Sequence, residues 1–155
     1  MFNQSMRILL AKDDVGLRKT MAVLLRTAGL RVDTARDASE AFRVIARHQY
    51  DIAVVDMVLL PAPSGIEVIR NLRSTSPGTH VITCTAYCSG ELRAEALALS
   101  VERIMRKPVA PSLLALLIQN PTDPVRLRHQ PVHDCQVRVM ISIERSFGRD
   151  QGQVS

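Results

Sequence analysis

The sequence predicts an α/β domain: a doubly wound parallel sheet of five strands with helices on both faces. Three observations predict it. Five short apolar runs alternate with helical patterns along residues 6–118, the order produced when crossover helices join parallel strands. The run at residues 52–55, Ile-Ala-Val-Val, is continuous rather than alternating and rich in β-branched side chains, as in a strand buried on both faces. That run ends in a carboxylate, Asp56, and breaks into a loop holding Pro61, Pro63 and Gly65. Open α/β sheets place their chemistry beyond the carboxyl ends of their strands.

Composition bounds the reading. The 155 residues fit one domain of ordinary size, and 46% hydrophobic content supplies a core. Aromatics make up 3% and Trp is absent, so that core is aliphatic. The net charge of +5 comes almost entirely from Arg. No basic run interleaves with aromatics, so a nucleic-acid stacking platform is not expected and the charge reads as an ordinary solvated surface. Cys84, Cys88 and Cys135 form no disulfide framework; reduced thiols in the cytoplasm are the default. No apolar stretch is long enough to span a bilayer. Residues 8–11 are too short for a signal-peptide core. A cytoplasmic protein with no membrane partner is expected.

Taken in order, residues 8–11 form a second buried strand that runs into Lys12-Asp13-Asp14. Leu17, Met21, Leu24 and Leu25 then recur at helical spacing, with Arg18, Lys19 and Arg26 between them. Gly29 closes that helix. Residues 31–35 suit an edge strand. Asp37 or Ser39 caps a helix carrying Ala41, Phe42, Ile45 and Ala46, and Tyr50 leads into the central strand. After the loop, Ser64-Gly65-Ile66-Glu67 has the capping-box pattern, and Ile66, Ile69 and Leu72 mark a buried face. Ser76-Pro77-Gly78 stops this helix. A fourth strand is expected at residues 81–85, a helix at 89–99, a weaker strand at 103–106 and a final helix from 112 to 118.

This order brings Lys12, Asp13 and Asp14 from the first strand to one sheet edge with Asp56, Thr85 and Lys107. Oxygen ligands on loops with room for water suit Mg²⁺. A carboxylate can act as nucleophile and form an aspartyl phosphate. Lys107 can pair with phosphate oxygens, and the Thr85 hydroxyl can donate to another.

From about Arg7 to Ile118 the chain resembles the receiver domain of bacterial two-component response regulators. The resemblance rests on Ile-Leu-Leu-Ala-Lys-Asp-Asp followed by Leu17-Arg18, on Val55-Asp56 with Pro61 and Ser64-Gly65, on Thr85-Ala86, and on Lys107-Pro108. It implies a flavodoxin-like sheet in the order 2-1-3-4-5. It implies Asp56 as phosphoacceptor, with Thr85, Ala86 and Lys107 as the phosphate-binding and switch residues. It implies Mg²⁺ held by Asp13, Asp56 and the Val58 backbone carbonyl, with Asp14 a further metal candidate in the register that pairs it with Asp13. The phosphoryl donor would be a sensor histidine kinase or a phosphotransfer protein. The module would be a phosphoacceptor signalling domain rather than an enzyme, apart from self-phosphotransfer and dephosphorylation.

The departures are as specific as the matches. Counting from Ile8 and from Leu17-Arg18, the family's acidic pair falls on Lys12 and Asp13, so a lysine takes the place of one metal-pocket acid. A rival register pairs Asp13 with Asp14 and leaves Lys12 as a strand end. The loop from Asp56 to Pro61 is one residue longer than the family's usual spacing. The family's Tyr or Phe three residues before the lysine is Ile104 here, and the aromatic after Lys-Pro is Val109. An ammonium at Lys12 would weaken metal attraction and could pair with Asp56. A degenerate receiver, acting as a phosphorylation-independent protein-interaction module, is the alternative function.

Two other classes fit less well. An aspartyl phosphatase wants a second acid soon after its nucleophile, where this chain has Met-Val-Leu-Leu. A flavin or nucleotide carrier wants a Gly- or Ser/Thr-rich phosphate loop after the first strand, where this chain is acidic. Residues 119–155 resemble no output domain. Pro121, Pro124 and Pro131 make their start linker-like. His129, His133 and Cys135 match no strong zinc spacing. Val137, Val139, Ile141 and Ile143 alternate like a strand, which leaves three alternatives: an exposed sheet edge, pairing between chains in a homodimer, or partial disorder. Direct DNA contact is not expected of so short a segment, and output through a downstream protein partner is.

Overall fold

The computed structural model describes residues 5–59, 64–86 and 89–119. The strands are β1 (Arg7–Ala11), β2 (Arg31–Ala35), β3 (Ile52–Asp56), β4 (His80–Thr85) and β5 (Arg103–Arg106). The helices are α1 (Val15–Thr27), α2 (Ala38–Ile45), α3 (Gly65–Thr75), α4 (Gly90–Ala98) and α5 (Pro111–Gln119). All strand pairs are parallel, in the order β2-β1-β3-β4-β5. This is the flavodoxin-like doubly wound sheet.

Two apolar layers hold the sheet. Leu9, Ala11, Ala53, Val55 and Ile104 pack with α2 and α3 on one face. Ile8, Leu10, Ile52, Val54, Cys84 and Met105 pack with α1 and α5 on the other. Successive side chains of one strand thus feed opposite layers, which is why the strands read as unbroken apolar runs. The register aligns Ala11 with Val55 and Asp56 with Cys84. Lys12 continues the series of Ile8 and Leu10, Asp56 that of Ile52 and Val54, and Lys107 that of Met105. These three side chains therefore rise on the α1/α5 side of the same sheet edge.

The helix ends follow local chemistry. Asp14 Oδ1 accepts from Leu17 N at 2.8 Å and caps α1. Asp37 caps α2 through Glu40 N. Gly29, with φ of 87°, closes α1 in the left-handed region. Ser89 Oγ caps α4 through Leu92 N. The capping box at Ser64 does not form: Ser64 occupies the N-cap without a side-chain bond. Glu67 pairs with Arg70 instead of reaching back, because a partner one turn along competes for its carboxylate. Pro61, Cys88, Cys135 and residues 120–155, with the strand expected there, lie outside the described residues.

Candidate functional site

Asp56 ends β3, the central strand, and is 1% exposed. A charge so buried is tolerable only with partners, and it has two. Lys12 Nζ donates to Asp56 Oδ1 at 3.1 Å, and Lys107 Nζ stands 3.2 Å from Asp56 Oδ2. Lys12 is as buried as Asp56, at 1%, whereas the Lys107 side chain is 32% exposed. The chain contains only three lysines; two of them meet on this carboxylate.

Each member is held by its own strand end. Lys12 N donates to Ala35 O at 3.0 Å, extending the β1–β2 ladder by one bond. Arg18 reaches back from α1 and donates to the carbonyl oxygens of Lys12 (2.6 Å) and Asp13 (3.2 Å). Lys107 N donates to Thr85 O at 2.8 Å, and the Lys107–Pro108 peptide is cis. Gly65 leaves room for the Asp56 backbone: a Cβ there would lie 1.8 Å from the Asp56 carbonyl oxygen.

The electrostatics follow from burial and proximity. Burial is the strongest influence on Lys12 and pushes its pKa down. Negative charge on Cys84, present only as a thiolate in alkali, and the Asp56 carboxylate outweigh it, leaving Lys12 above its ordinary value. Cys84, paired with Asp56 in the sheet and fully buried, is pushed up by that burial and stays a thiol. A cleft of about 680 Å³ opens above the pocket; Lys12, Asp14, Leu17, Lys107 and Val109 line it.

The other sequence-derived candidates divide. Thr85 ends β4, 2% exposed, beside the Lys107 backbone. Ala86 follows it, exposed. Ile104 is fully buried in the core against the α2/α3 face. Val58 lies just past Asp56 with its side chain exposed. Asp13 is half-buried beside Lys12, and Asp14 is exposed and turned into the α1 cap. Arg18 and Cys84 escaped the sequence reading as site neighbours. Arg18 acts on backbone oxygens, which carry no side-chain signature. Cys84 could have been found from its position one residue before Thr85.

Mg²⁺ takes oxygen ligands in a near-octahedral shell, and these residues do not fit it. One Asp56 oxygen accepts from Lys12 and the other is ion-paired with Lys107. Asp14 is committed to α1. Among the described residues no group of three or more His, Cys, Asp or Glu is placed to hold a metal. A unit positive charge about 4 Å away opposes each unit of incoming charge by about 4 kcal/mol at an effective dielectric of about 20, before solvent rearranges.

Fold and pocket together define a class: a doubly wound α/β domain with a buried carboxylate at the end of its central strand, set between lysines. A family model for the response regulator receiver domain matches residues 8–119. The chain belongs to this family, the receiver domains of two-component signalling systems. It is 35% identical over 103 residues to the virulence transcriptional regulatory protein PhoP of Shigella flexneri and to the transcriptional regulatory protein PhoP of Escherichia coli K12. Each match covers 66% of this chain and 46% of the relative, so the chain spans about half the length of these curated relatives. Among solved structures it resembles a CheY-like receiver domain protein of Methanospirillum hungatei, with 26% identity and a TM-score of 0.72, covering 82% of this chain and all of that one. It also resembles the chemotaxis protein CheY4 of Vibrio cholerae, with 26% identity and a TM-score of 0.67, covering 74% and 97%. Among the described residues no helix is long and apolar enough to cross a membrane.

Proposed function

We propose that this receiver domain accepts a phosphoryl group on Asp56 from a cytoplasmic sensor histidine kinase or phosphotransfer protein, and passes the change to a downstream protein through surface contacts. The supporting observation is the position of Asp56, at the carboxyl end of the central strand with Lys107 3.2 Å away and Thr85 ending the adjacent strand. In the transfer, an Asp56 oxygen bonds to phosphorus as the P–N bond of a phosphohistidine breaks. The imidazole nitrogen leaves with the electron pair and takes a proton from solvent. Lys107 neutralises phosphoryl oxygens, and Thr85, ending the adjacent strand, brings a hydroxyl donor to the same sheet edge. The Lys107 side chain is partly exposed, whereas Lys12 is buried.

A second reading draws on Lys12. With both carboxylate oxygens covered by ammonium groups and Asp56 1% exposed, the domain would present one fixed surface and act as a phosphorylation-independent interaction module. Incubation with acetyl phosphate and MgCl₂, followed by intact mass, separates the two. One added phosphoryl mass on the wild type and none on Asp56→Asn supports phosphoacceptance. Equal labelling of the Asn variant rejects Asp56 as the acceptor. An unlabelled wild type favours the fixed module.

A further inference from the structure

We propose that the Lys12 ammonium is the resident cation of the Asp56 pocket, standing permanently where a receiver would take a divalent metal. This deepens the phosphoacceptor reading and rests on it only for its second arm.

The first support is geometric. Lys12 Nζ lies 3.1 Å from Asp56 Oδ1, and both side chains are 1% exposed. A surface lysine in passing contact would keep its head in water; this one is sealed in. The second support is positional. Lys12 stands at the end of β1 in line with Ile8 and Leu10, its amide is tied to Ala35, and Arg18 grips its carbonyl. The backbone sets the Lys12 side chain on the pocket's side of the sheet edge. The third is charge. Lys12 and Lys107 bring two positive charges to the single negative charge of Asp56, with Asp13 half-buried at the rim. A dication approaching the Asp56 oxygens meets two ammonium groups already there, whereas an anion meets two donors.

The pocket is therefore suited to a phosphoryl group without metal. On Asp56 that group would carry about two negative charges, matched by the two lysines. With acetyl phosphate as donor, the bond from the Asp56 oxygen to phosphorus forms while the bond from phosphorus to acetate breaks. Acetate leaves with the electron pair, and no further reactant is needed.

The test uses the full chain. In its first arm, thermal midpoints are measured against MgCl₂, and water-proton relaxation against MnCl₂, for the wild type, Lys12→Met and Lys12→Glu. The wild type should show no saturable response in the millimolar range. Lys12→Met should gain a weak one, and Lys12→Glu one at least about tenfold tighter, lost again when Asp56→Asn is added. Should Lys12→Glu fail to fold, Lys12→Met alone decides the point. A wild-type response as strong as the variants' would overturn the proposal. In the second arm, acetyl phosphate labelling of the wild type should be equal in EDTA and in MgCl₂; labelling only with Mg²⁺ would also overturn it. A wild type that labels in neither medium removes the phosphoacceptor reading, and the first arm then decides the resident cation by itself.

Discussion

The two ends of the sheet each carry a cluster of charged and polar side chains, and the clusters obey different rules. At the carboxyl end, Lys12 and Lys107 close on Asp56 in a site from which water is largely excluded. At the amino end, Arg7 Nε donates to Asp33 Oδ2 at 2.9 Å and the Tyr50 hydroxyl donates to the same oxygen at 2.8 Å. There Arg7 and Asp33 keep 28% and 31% of their side-chain exposure, and the Arg7 guanidinium stands 5.9 Å from the Tyr50 ring centre. The amino-end cluster balances one cation against one anion and shares the charge with solvent. The carboxyl-end cluster holds two cations on one buried anion. A balanced, half-solvated cluster tolerates loss of a member; a buried, unbalanced one does not.

The largest expected effect tests that contrast. Asp56→Ala leaves the Lys12 ammonium buried without its carboxylate and should lower stability by about 3–5 kcal/mol, the range for breaking a buried ion pair. Urea unfolding of the variant reads this directly. Gain of stability, as in a pocket of mutually repelling acids, would refute the contrast. Next comes Gly65→Ala, whose Cβ would meet the Asp56 carbonyl at 1.8 Å. Overpacking against backbone should cost about 1–3 kcal/mol and shift Asp56 relative to Lys107, seen as altered backbone amide signals at both. Tyr50→Phe removes one hydrogen bond at the amino end and should cost about 1 kcal/mol, with no change at Asp56.

The smallest effect lies in pH dependence. Burial pushes the Asp33 pKa up, but the hydrogen bonds from Arg7 and Tyr50 outweigh it and hold the carboxyl below its ordinary 3.8. Its stabilisation is therefore complete above pH 3.8 and fades as pH falls through the lower folded-state value. The stability difference between wild type and Asp33→Asn should be flat near neutrality and shrink in acid. Lys12 behaves in the opposite sense. Its pKa is raised above the ordinary 10.5, so its contribution is present below that pH and is lost only in stronger alkali.

The sheet was legible because both of its faces are covered, which leaves unbroken apolar runs at residues 8–11 and 52–55. The convergence of Lys12, Asp56, Thr85 and Lys107 at one edge follows from counting strand ends. Whether Asp13-Asp14 or Lys12-Asp13 faces the pocket was open in the sequence, since a strand end can slip by one residue. Asp14 takes up the local bond to Leu17 N, a choice between cap and pocket that spacing alone does not settle. The reach of Lys12 depends on a long side chain finding one rotamer. The Arg18 grip depends on backbone oxygens. The open capping box depends on Glu67 pairing with Arg70. None of these leaves a mark in residue order. The Arg7–Asp33–Tyr50 cluster leaves no signal in residue order because Arg7 and Asp33 come from different strands, Tyr50 from the segment before β3, and none belongs to a recognisable motif.

The most direct test of the central claim, that an ammonium rather than a metal is the built-in partner of Asp56, is the side-chain ammonium NMR spectrum of the protein, which has only three lysines. A ¹⁵N-labelled sample recorded with and without millimolar MgCl₂ should show a Lys12 Nζ signal protected from exchange with water. That signal should be unmoved by Mg²⁺ and absent from Asp56→Asn. Three rapidly exchanging, solvent-like ammonium signals, or a Lys12 signal displaced by Mg²⁺, would contradict the account.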